Sequence, residues 1–195
     1  MKKGIFILMA VVMIQGCTVK DSTLKVSHHA DGNFVGPLEQ LQGVNFQMPE
    51  MADDREDKMR IGWKKNGYGH RMAGILTEQP VTEIVQNAIV TAFKSNQQLM
   101  TDEGDVLIEG KVTNFWFEAD INFWTVEFIG DVQVMLSFID RNSGDVIYQS
   151  NYSGTYSDKK AGGGEKTWQE VMMLAVDKLI EDIVFDEELI ESLDQ

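Results

Sequence analysis

Apolar and polar residues alternate along three consecutive segments in the second half of the chain, and this pattern predicts three long strands. The segments are 105–117, 124–140 and 145–156. Residues 142–144 form a hairpin turn, and strands joined by such short connections must pair antiparallel. One face of the sheet is then buried. In the longest strand that face carries the even-numbered positions, which are Trp124, Val126, Phe128, Gly130, Val132, Val134, Leu136 and Phe138.

Two other segments have apolar residues at the spacing of an amphipathic helix. The first follows Pro80, which suits a first-turn position, and ends near Asn96. The second is predicted to start at Thr167, because Thr167 and Glu170 have the spacing of a capping box. The apolar stripe of the first helix is Val81, Ile84, Val85, Ala88, Ile89, Ala92 and Phe93. The apolar stripe of the second helix is Trp168, Val171, Met172, Ala175, Leu179 and Ile183. A last turn or two follows at Leu189, Ile190 and Leu193.

Two shorter strands are predicted ahead of the first helix, at 43–48 and 59–63. Between them lies an acidic loop, 50–57, in which we expect Arg55 to pair locally. A calcium site is the weaker alternative, because the loop lacks regular ligand alternation and a central glycine. Together these elements predict an α+β fold, with an antiparallel sheet of about four to five strands and two helices packed on one face.

The first residues have the layout of a secretory signal. Lys2 and Lys3 precede an uncharged apolar run, 4–14, which is too short to cross a bilayer as a helix. The run leads to Ile14-Gln15-Gly16-Cys17, which resembles the cleavage site of a bacterial lipoprotein. We therefore expect a signal peptide at 1–16, a lipidated Cys17 with a tether over 17–38, and a single domain over 39–195.

Lipid on Cys17 would determine the location of the protein. A diacylglyceryl group and an N-acyl chain would hold it on the membrane, because two chains already give stable anchoring. The next residue is Thr18 rather than Asp. In similar lipoproteins an Asp at that position resembles an inner-membrane retention signal. Its absence indicates the outer membrane, with the domain in the periplasm.

Charge and cysteine content exclude several classes of protein. The chain has 17 Lys and Arg against 31 Asp and Glu, and removal of the signal changes its net charge from −14 to −16. Such an acidic protein is a poor candidate for binding nucleic acid or anionic lipid by charge. With a single cysteine, Cys17, no intramolecular disulfide can form, so packing must hold the core.

Candidate catalytic motifs are incomplete. The 162–167 segment lies between a strand and a helix like a phosphate loop, but Glu165 stands where that motif needs a glycine. His70 is the sole histidine of the expected domain and has no Gly-x-Ser-x-Gly partner motif. The His28–His29 pair lacks a third metal ligand nearby. We therefore expect no enzyme activity, no cofactor and no metal.

An aromatic group flanks the bend between the first two long strands. By strand alternation, Phe115, Phe117 and Phe123 fall on the face opposite Trp124 and its even-numbered partners. Apolar residues on an otherwise wet face often mark a partner site. The alternative, that the tail or tether covers them, is equally open. We expect these three residues to form a partner surface.

The order of elements resembles a known family. A lipoprotein signal, a strand ending at Asp53-Asp54-Arg55, a helix, antiparallel strands and a final amphipathic helix with an acidic-aliphatic tail resemble the YajG-like family of uncharacterised bacterial lipoproteins. That resemblance implies an envelope location and no established reaction. The layout is also similar to auxiliary lipoproteins of ABC transport systems.

The expected function is that of a non-enzymatic, outer-membrane-anchored lipoprotein. Its domain would bind another envelope protein, or itself, or serve as a structural component of the envelope. The alternative is an accessory of an ABC-type transport system that holds a lipid or glycan between helices and sheet.

Overall fold

The structure, a computed structural model, describes residues 19–28, 34–41 and 43–194. Within these ranges nine strands form one sheet: β1 (Ser22–Leu24), β2 (Asn45–Gln47), β3 (Ala52–Asp53), β4 (Gly62–Lys65), β5 (Arg71–Thr77), β6 (Leu99–Met100), β7 (Val106–Ile121), β8 (Val126–Asp140) and β9 (Val146–Lys160). The α-helices there are α1 (Val81–Ser95), α2 (Glu165–Val184) and α3 (Glu187–Leu193). A 3₁₀ turn spans Pro37–Gln40. None of the described helices is long and apolar enough to cross a membrane.

The three long strands β7, β8 and β9 pair antiparallel along their length, as the alternation predicted. The even-numbered positions of β8 face the core, and Phe128, Val132, Val134, Leu136 and Phe138 are buried. Trp124 is an exception, because it precedes the first residue of β8 and is exposed.

The predicted antiparallel sheet of four to five strands with two helices is wrong, although the α+β class is right. The sheet is mixed, because β2, β3 and β4 each pair parallel to a different part of β7. β5 joins β4 antiparallel, and β1 and β6 add further parallel pairs. Five of these strands have only two to four residues, too few to show a period of two in the sequence.

Helices α1 and α2 pack on the same face of the sheet, and α2 lies against β8 and β9. Two glycines permit this close approach. A Cβ atom at Gly154 would lie 2.1 Å from the carbonyl oxygen of Ala175, and one at Gly130 would lie 3.0 Å from that of Val171. Any side chain at Gly154 would therefore push α2 off the sheet.

The helix boundaries agree with the sequence for α1 and differ for α2. Helix α2 starts at Glu165, so Thr167 lies inside its first turn and the predicted capping box is wrong. Helix α3 is held by Asp186, whose carboxylate accepts the Leu189 N–H at 3.1 Å and the hydroxyl groups of Tyr148 and Tyr152 at 3.0 and 2.7 Å. Burial raises the pKa of Tyr152 most, and the Asp186 carboxylate raises it further. The Tyr152 hydroxyl group therefore remains neutral and donates its hydrogen bond.

A β-bulge between Val112 and Asn114 determines which aromatic side chains are buried. Before the bulge the even-numbered residues of β7 face the helices, and after it the odd-numbered ones do, since a bulge inserts one extra residue. Phe115 and Phe117 are therefore fully buried, and the predicted partner surface is wrong for both. Phe123, beyond the end of β7, is 88% exposed.

The expected tether over 17–38 differs from the structure in its described part. Ser22–Leu24 forms β1, and Leu24 and Val26 are buried in the core. His28 Nδ1 lies 2.8 Å from Asp177 Oδ1 of α2. The folded domain therefore includes Ser22–Leu24 and Val26, well before residue 39.

The burial of Phe117 predicts a large difference between two phenylalanine variants. Its ring lies 6.1 Å from that of Phe128 and 5.6 Å from that of Trp168, so Phe117→Ala should lower the free energy of unfolding by about 3–5 kcal/mol. The matched variant Phe123→Ala should change it by less than about 0.5 kcal/mol, because that ring is exposed. Urea denaturation of both variants measures the difference. Equal destabilisation would contradict the bulged register.

Candidate functional site

An open groove lies on the face of the sheet that the helices leave uncovered. It has a volume of about 710 Å³ and is bounded by the 55–60 loop, the β4–β5 hairpin and the bulged part of β7. Trp116 contributes to it because residues after the bulge alternate away from the buried Phe115 and Phe117. The same bulge that buries two phenylalanines thus turns Trp116 towards the groove.

Two arginines lie over one tryptophan in this groove. The guanidinium carbon of Arg60 is 4.5 Å from the centre of the Trp63 ring, and that of Arg71 is 5.5 Å away. Arg71 is brought there by the β4–β5 pairing, in which Trp63 and Lys65 face Gly74 and Arg71 on the opposite strand. Each cation–π contact stabilises the arrangement by about 0.5–1 kcal/mol and restricts the arginine side chain.

The 55–60 loop is held in place by a buried arginine. Arg55 donates from Nε and Nη2 to the two carboxylate oxygens of Asp53, both at 2.9 Å. It also donates to the carbonyl oxygens of Arg60 and Lys58, at 3.0 and 3.1 Å. Arg55 therefore pairs locally as the sequence indicated, but it is buried, and it fixes the groove wall instead of facing solvent.

Two acidic side chains beside the groove, Asp53 and Asp57, form ion pairs with Arg55 and Arg60. Burial alone would raise the pKa of Asp53, but its hydrogen bonds with Arg55 and the charge of that residue outweigh burial and lower the pKa. Burial likewise acts against the ionised form of Asp57, yet the N–H groups of Met59 and Arg60 and the Arg60 guanidinium lower its pKa. Both residues are therefore carboxylates at neutral pH, unsuited to act as general acids.

The groove favours an anionic ligand group. Its lining includes the basic side chains of Arg55, Lys58, Arg60 and Arg71, in a chain of net charge −14. Arg55 and Arg60 are already paired with Asp53 and Asp57. Arg71 and Lys58 are exposed, and neither forms an ion pair with another residue in the described part of the chain. A guanidinium group fixed over an indole ring is well suited to bind a carboxylate or phosphate.

The other residues considered from the sequence lie apart from this groove. His70 is exposed in the β4–β5 turn, where its N–H donates to Asn66 Oδ1 at 3.0 Å. Glu165 accepts a hydrogen bond from Ser22 at the start of α2. Among the described residues, no group of three or more His, Cys, Asp and Glu side chains could hold a metal ion. Cys17 and His29 lie outside the described residues.

The groove does not follow from the elements predicted from the sequence, because none of them covers β5. The predicted strand ends at Trp63. The signal was nevertheless present, because Asn66-Gly67 and Gly69 form a turn between an apolar strand and the segment Ala73-Gly74-Ile75-Leu76. A hairpin at this turn places Arg71 beside Lys65 and near Trp63.

Comparison with known proteins supports the fold. No protein-family model matches the chain, and no curated protein matches it by sequence. The fold is similar to that of protein XCC0632 from Xanthomonas campestris, described as DUF330, with 11% identity, a TM-score of 0.55, and coverage of 85% of this chain and 92% of that chain. At this identity the likeness shows the fold alone.

Other similar solved structures include two bacterial lipoproteins. A minor lipoprotein from Acinetobacter baumannii has 10% identity and a TM-score of 0.45, over 74% of this chain and 91% of that chain. Lipoprotein GNA1162 from Neisseria meningitidis has 10% identity and a TM-score of 0.31, over 70% of this chain and 97% of that chain. Both scores are too low to carry an argument about this chain, and the YajG-like assignment is not confirmed.

The Arg55–Asp53 pair predicts that Asp53→Asn destabilises the protein. The substitution removes the charged acceptor of a buried guanidinium group, and a hydrogen bond to a charged group contributes about 2 kcal/mol. We expect a loss of that size in the free energy of unfolding at pH 7, measured by urea denaturation. Asp102→Asn is the control, because Asp102 is exposed and its replacement should have no measurable effect.

The loss of unfolding free energy caused by Asp53→Asn should depend on pH. The folded-state pKa of Asp53 lies below that of an ordinary Asp, about 3.9. Its stabilising contribution is therefore fully present above that value and disappears as the pH falls through the folded-state pKa. The difference between wild type and Asp53→Asn should be constant above about pH 5 and shrink in more acidic solution. A difference that grows towards acid would contradict the charged pair.

Proposed function

We propose that this chain is a non-enzymatic lipoprotein of the bacterial envelope, anchored to the outer membrane through lipid on Cys17, with its domain in the periplasm. The signal pattern that ends at Cys17 supports the anchor, and Thr18 supports the outer membrane. The groove supports a binding role rather than catalysis. Its lining contains no histidine or cysteine, and its one hydroxyl side chain is that of Thr113.

The observation that carries the proposed function is the pair of arginines over Trp63. Their cationic groups are fixed on an exposed face, in a protein whose net charge is strongly negative. A partner that presents carboxylates there gains charge-assisted hydrogen bonds with Arg71 while an apolar part packs on Trp63 and Trp116. The function is therefore to bind an acidic segment of another envelope protein.

A second candidate function follows from the size of the groove. Its volume of about 710 Å³ lies within the range of small-ligand sites, about 300–1,000 Å³. Tryptophan and arginine side chains also suit an acidic glycan or a lipid head group, which is the ligand expected of a transport accessory. The protein partner is preferred because the groove is open along the sheet instead of enclosing its contents.

Lipid anchoring predicts the behaviour of Cys17→Ser. A serine cannot receive the diacylglyceryl group, so we expect an unprocessed precursor that no longer carries lipid. Intact mass spectrometry of the wild type should show a mature chain beginning at a lipidated Cys17. A Cys17→Ser protein that is still processed to mature size and still bound to the membrane would contradict the anchoring proposal. Separation of inner and outer membranes tests the location independently.

Partner binding predicts site-specific photo-crosslinking in intact cells. A photoreactive amino acid at Met59, which is exposed on the groove rim, should crosslink a defined protein. The same probe at Val146, which is exposed and outside this groove, should not. Adding Arg71→Glu should abolish the Met59 crosslink, whereas Lys94→Glu on α1 changes the net charge equally and should leave it unchanged.

The two candidate functions give different results in this experiment. A crosslinked protein that depends on Arg71 supports the protein-binding function. If no protein is captured, and native mass spectrometry of the purified lipoprotein shows a retained small molecule that Arg71→Glu releases, the transport accessory is the correct assignment. Crosslinking that is insensitive to Arg71→Glu would show that the groove is not the binding site.

A further inference from the structure

The strand register shows that several chain ends and turns lie at one end of the sheet. β1, β5, β4, β7, β8 and β9 share a single row of paired residues, which is Ser22, Ile75, Gly62, Phe117, Gly130 and Tyr156. On one side of this row lie the start of β1, the β4–β5 turn, the β7–β8 turn and the segment between β9 and α2. We call the segments 19–22, 62–75, 117–130 and 156–166 the near end.

The start of the described chain is fixed at the near end. Lys64 of β4 donates to the carbonyl oxygen of Lys20 at 2.7 Å, and the Asp21 carboxylate accepts the Gly74 N–H at 2.6 Å. Cys17 is only three residues before Lys20. Successive Cα atoms are 3.8 Å apart, so the Cα atom of Cys17 lies within about 11 Å of that of Lys20. A lipid on Cys17 would therefore hold the near end close to the bilayer.

The most exposed aromatic side chains of the described residues lie at this end. Tyr68, in the β4–β5 turn, is 90% exposed, and Phe123 and Trp124, in the β7–β8 turn, are 88% and 82% exposed. The Phe123 and Trp124 rings contact each other edge to face, with centroids 4.6 Å apart. Tryptophan and tyrosine are the residues enriched where proteins meet the head groups of a bilayer.

The charge of the near end is compatible with a phosphate-bearing surface. Its four segments contain seven Lys and Arg residues and six Asp and Glu residues, whereas the whole chain has 17 and 31. Bases thus balance acids at the near end, whereas acids outnumber bases in the chain as a whole. Lys20, Lys159 and Lys166 are exposed there without an ion pair to a described residue, so their long side chains can reach head-group phosphates.

We propose that the near end docks on the bilayer that carries the lipid anchor, with Tyr68, Phe123 and Trp124 inserted at the head-group level. This inference rests on the proposed lipid on Cys17. It adds an orientation of the domain on the bilayer, because a lipid on a free tether would let the domain face any direction. The β8–β9 turn, at the opposite end of the sheet, then points away from the membrane by roughly 45 Å, the length of β8.

The experiment uses the full lipidated protein, because its only cysteine is consumed by lipid. Phe123→Cys and Tyr68→Cys each provide one free thiol for an environment-sensitive fluorophore at the near end. Asn142→Cys, an exposed position in the β8–β9 turn, is the matched control. The labelled proteins are reconstituted in phosphatidylethanolamine–phosphatidylglycerol vesicles, with and without lipids that carry a spin-label quencher at head-group depth.

The expected result is a blue-shifted emission at positions 123 and 68 that loses intensity with the spin-labelled lipid, and neither change at position 142. Unshifted emission at 123 and 68 in vesicle-bound protein would overturn the docking. A blue shift that the lipid-borne quencher does not affect would also overturn it, because a second copy of the chain would then cover the turn.

Failure of the anchor is recognised separately. Protein without added cysteine should float with the vesicles and take up no fluorophore, because lipid blocks the Cys17 thiol. Labelling of that protein, or its failure to float, would refute the lipid anchor itself and with it the docking. Flotation without quenching at either turn refutes the docking alone.

Discussion

The hydrogen-bonding requirement of β7 organises this domain. A strand of 16 residues presents N–H and C=O groups along two edges, and buried backbone groups must be paired. β8 satisfies one edge along its full length. The other edge is satisfied in pieces by β2, β3 and β4, which follow one another along the chain and run parallel to β7. Three short strands that could not persist alone are stable because each completes part of the same edge.

The groove occurs where this edge pairing is interrupted. The Asp54 N–H donates to the carbonyl oxygen of Val112 at 2.9 Å, and the Phe117 N–H donates to that of Ile61 at 2.5 Å. Between these two bonds the 55–60 loop leaves the edge of β7. The bulge in β7 falls in the same interval, and Arg55 holds the departing loop in one conformation. A local break in pairing thus produces both the reversed side-chain alternation and the space beside Trp63.

The small number of residues between Cys17 and β1 would determine how the proposed lipid anchor orients the domain. A flexible tether of about 20 residues would let the domain face any direction and reach distant partners. With the chain held from Lys20, a lipid on Cys17 would place the exposed turns beside the bilayer and the β8–β9 turn far from it. The groove beside Trp63, which includes part of the β4–β5 hairpin, would then receive its partner near the membrane surface.

The sequence by itself determined the long elements, because β7, β8, β9 and α1 each repeat their apolar period often enough to be recognised. It also indicated a lipid-bearing Cys17, whose signal is local. The tertiary structure decided the sheet order, the burial of Phe115 and Phe117, and the groove. The sheet order was hidden because two-residue strands show no apolar period. The burial of the two phenylalanines was hidden because a single inserted residue moves every later side chain to the opposite face. The groove was hidden because Arg60, Trp63 and Arg71 meet only when β5 folds back on β4.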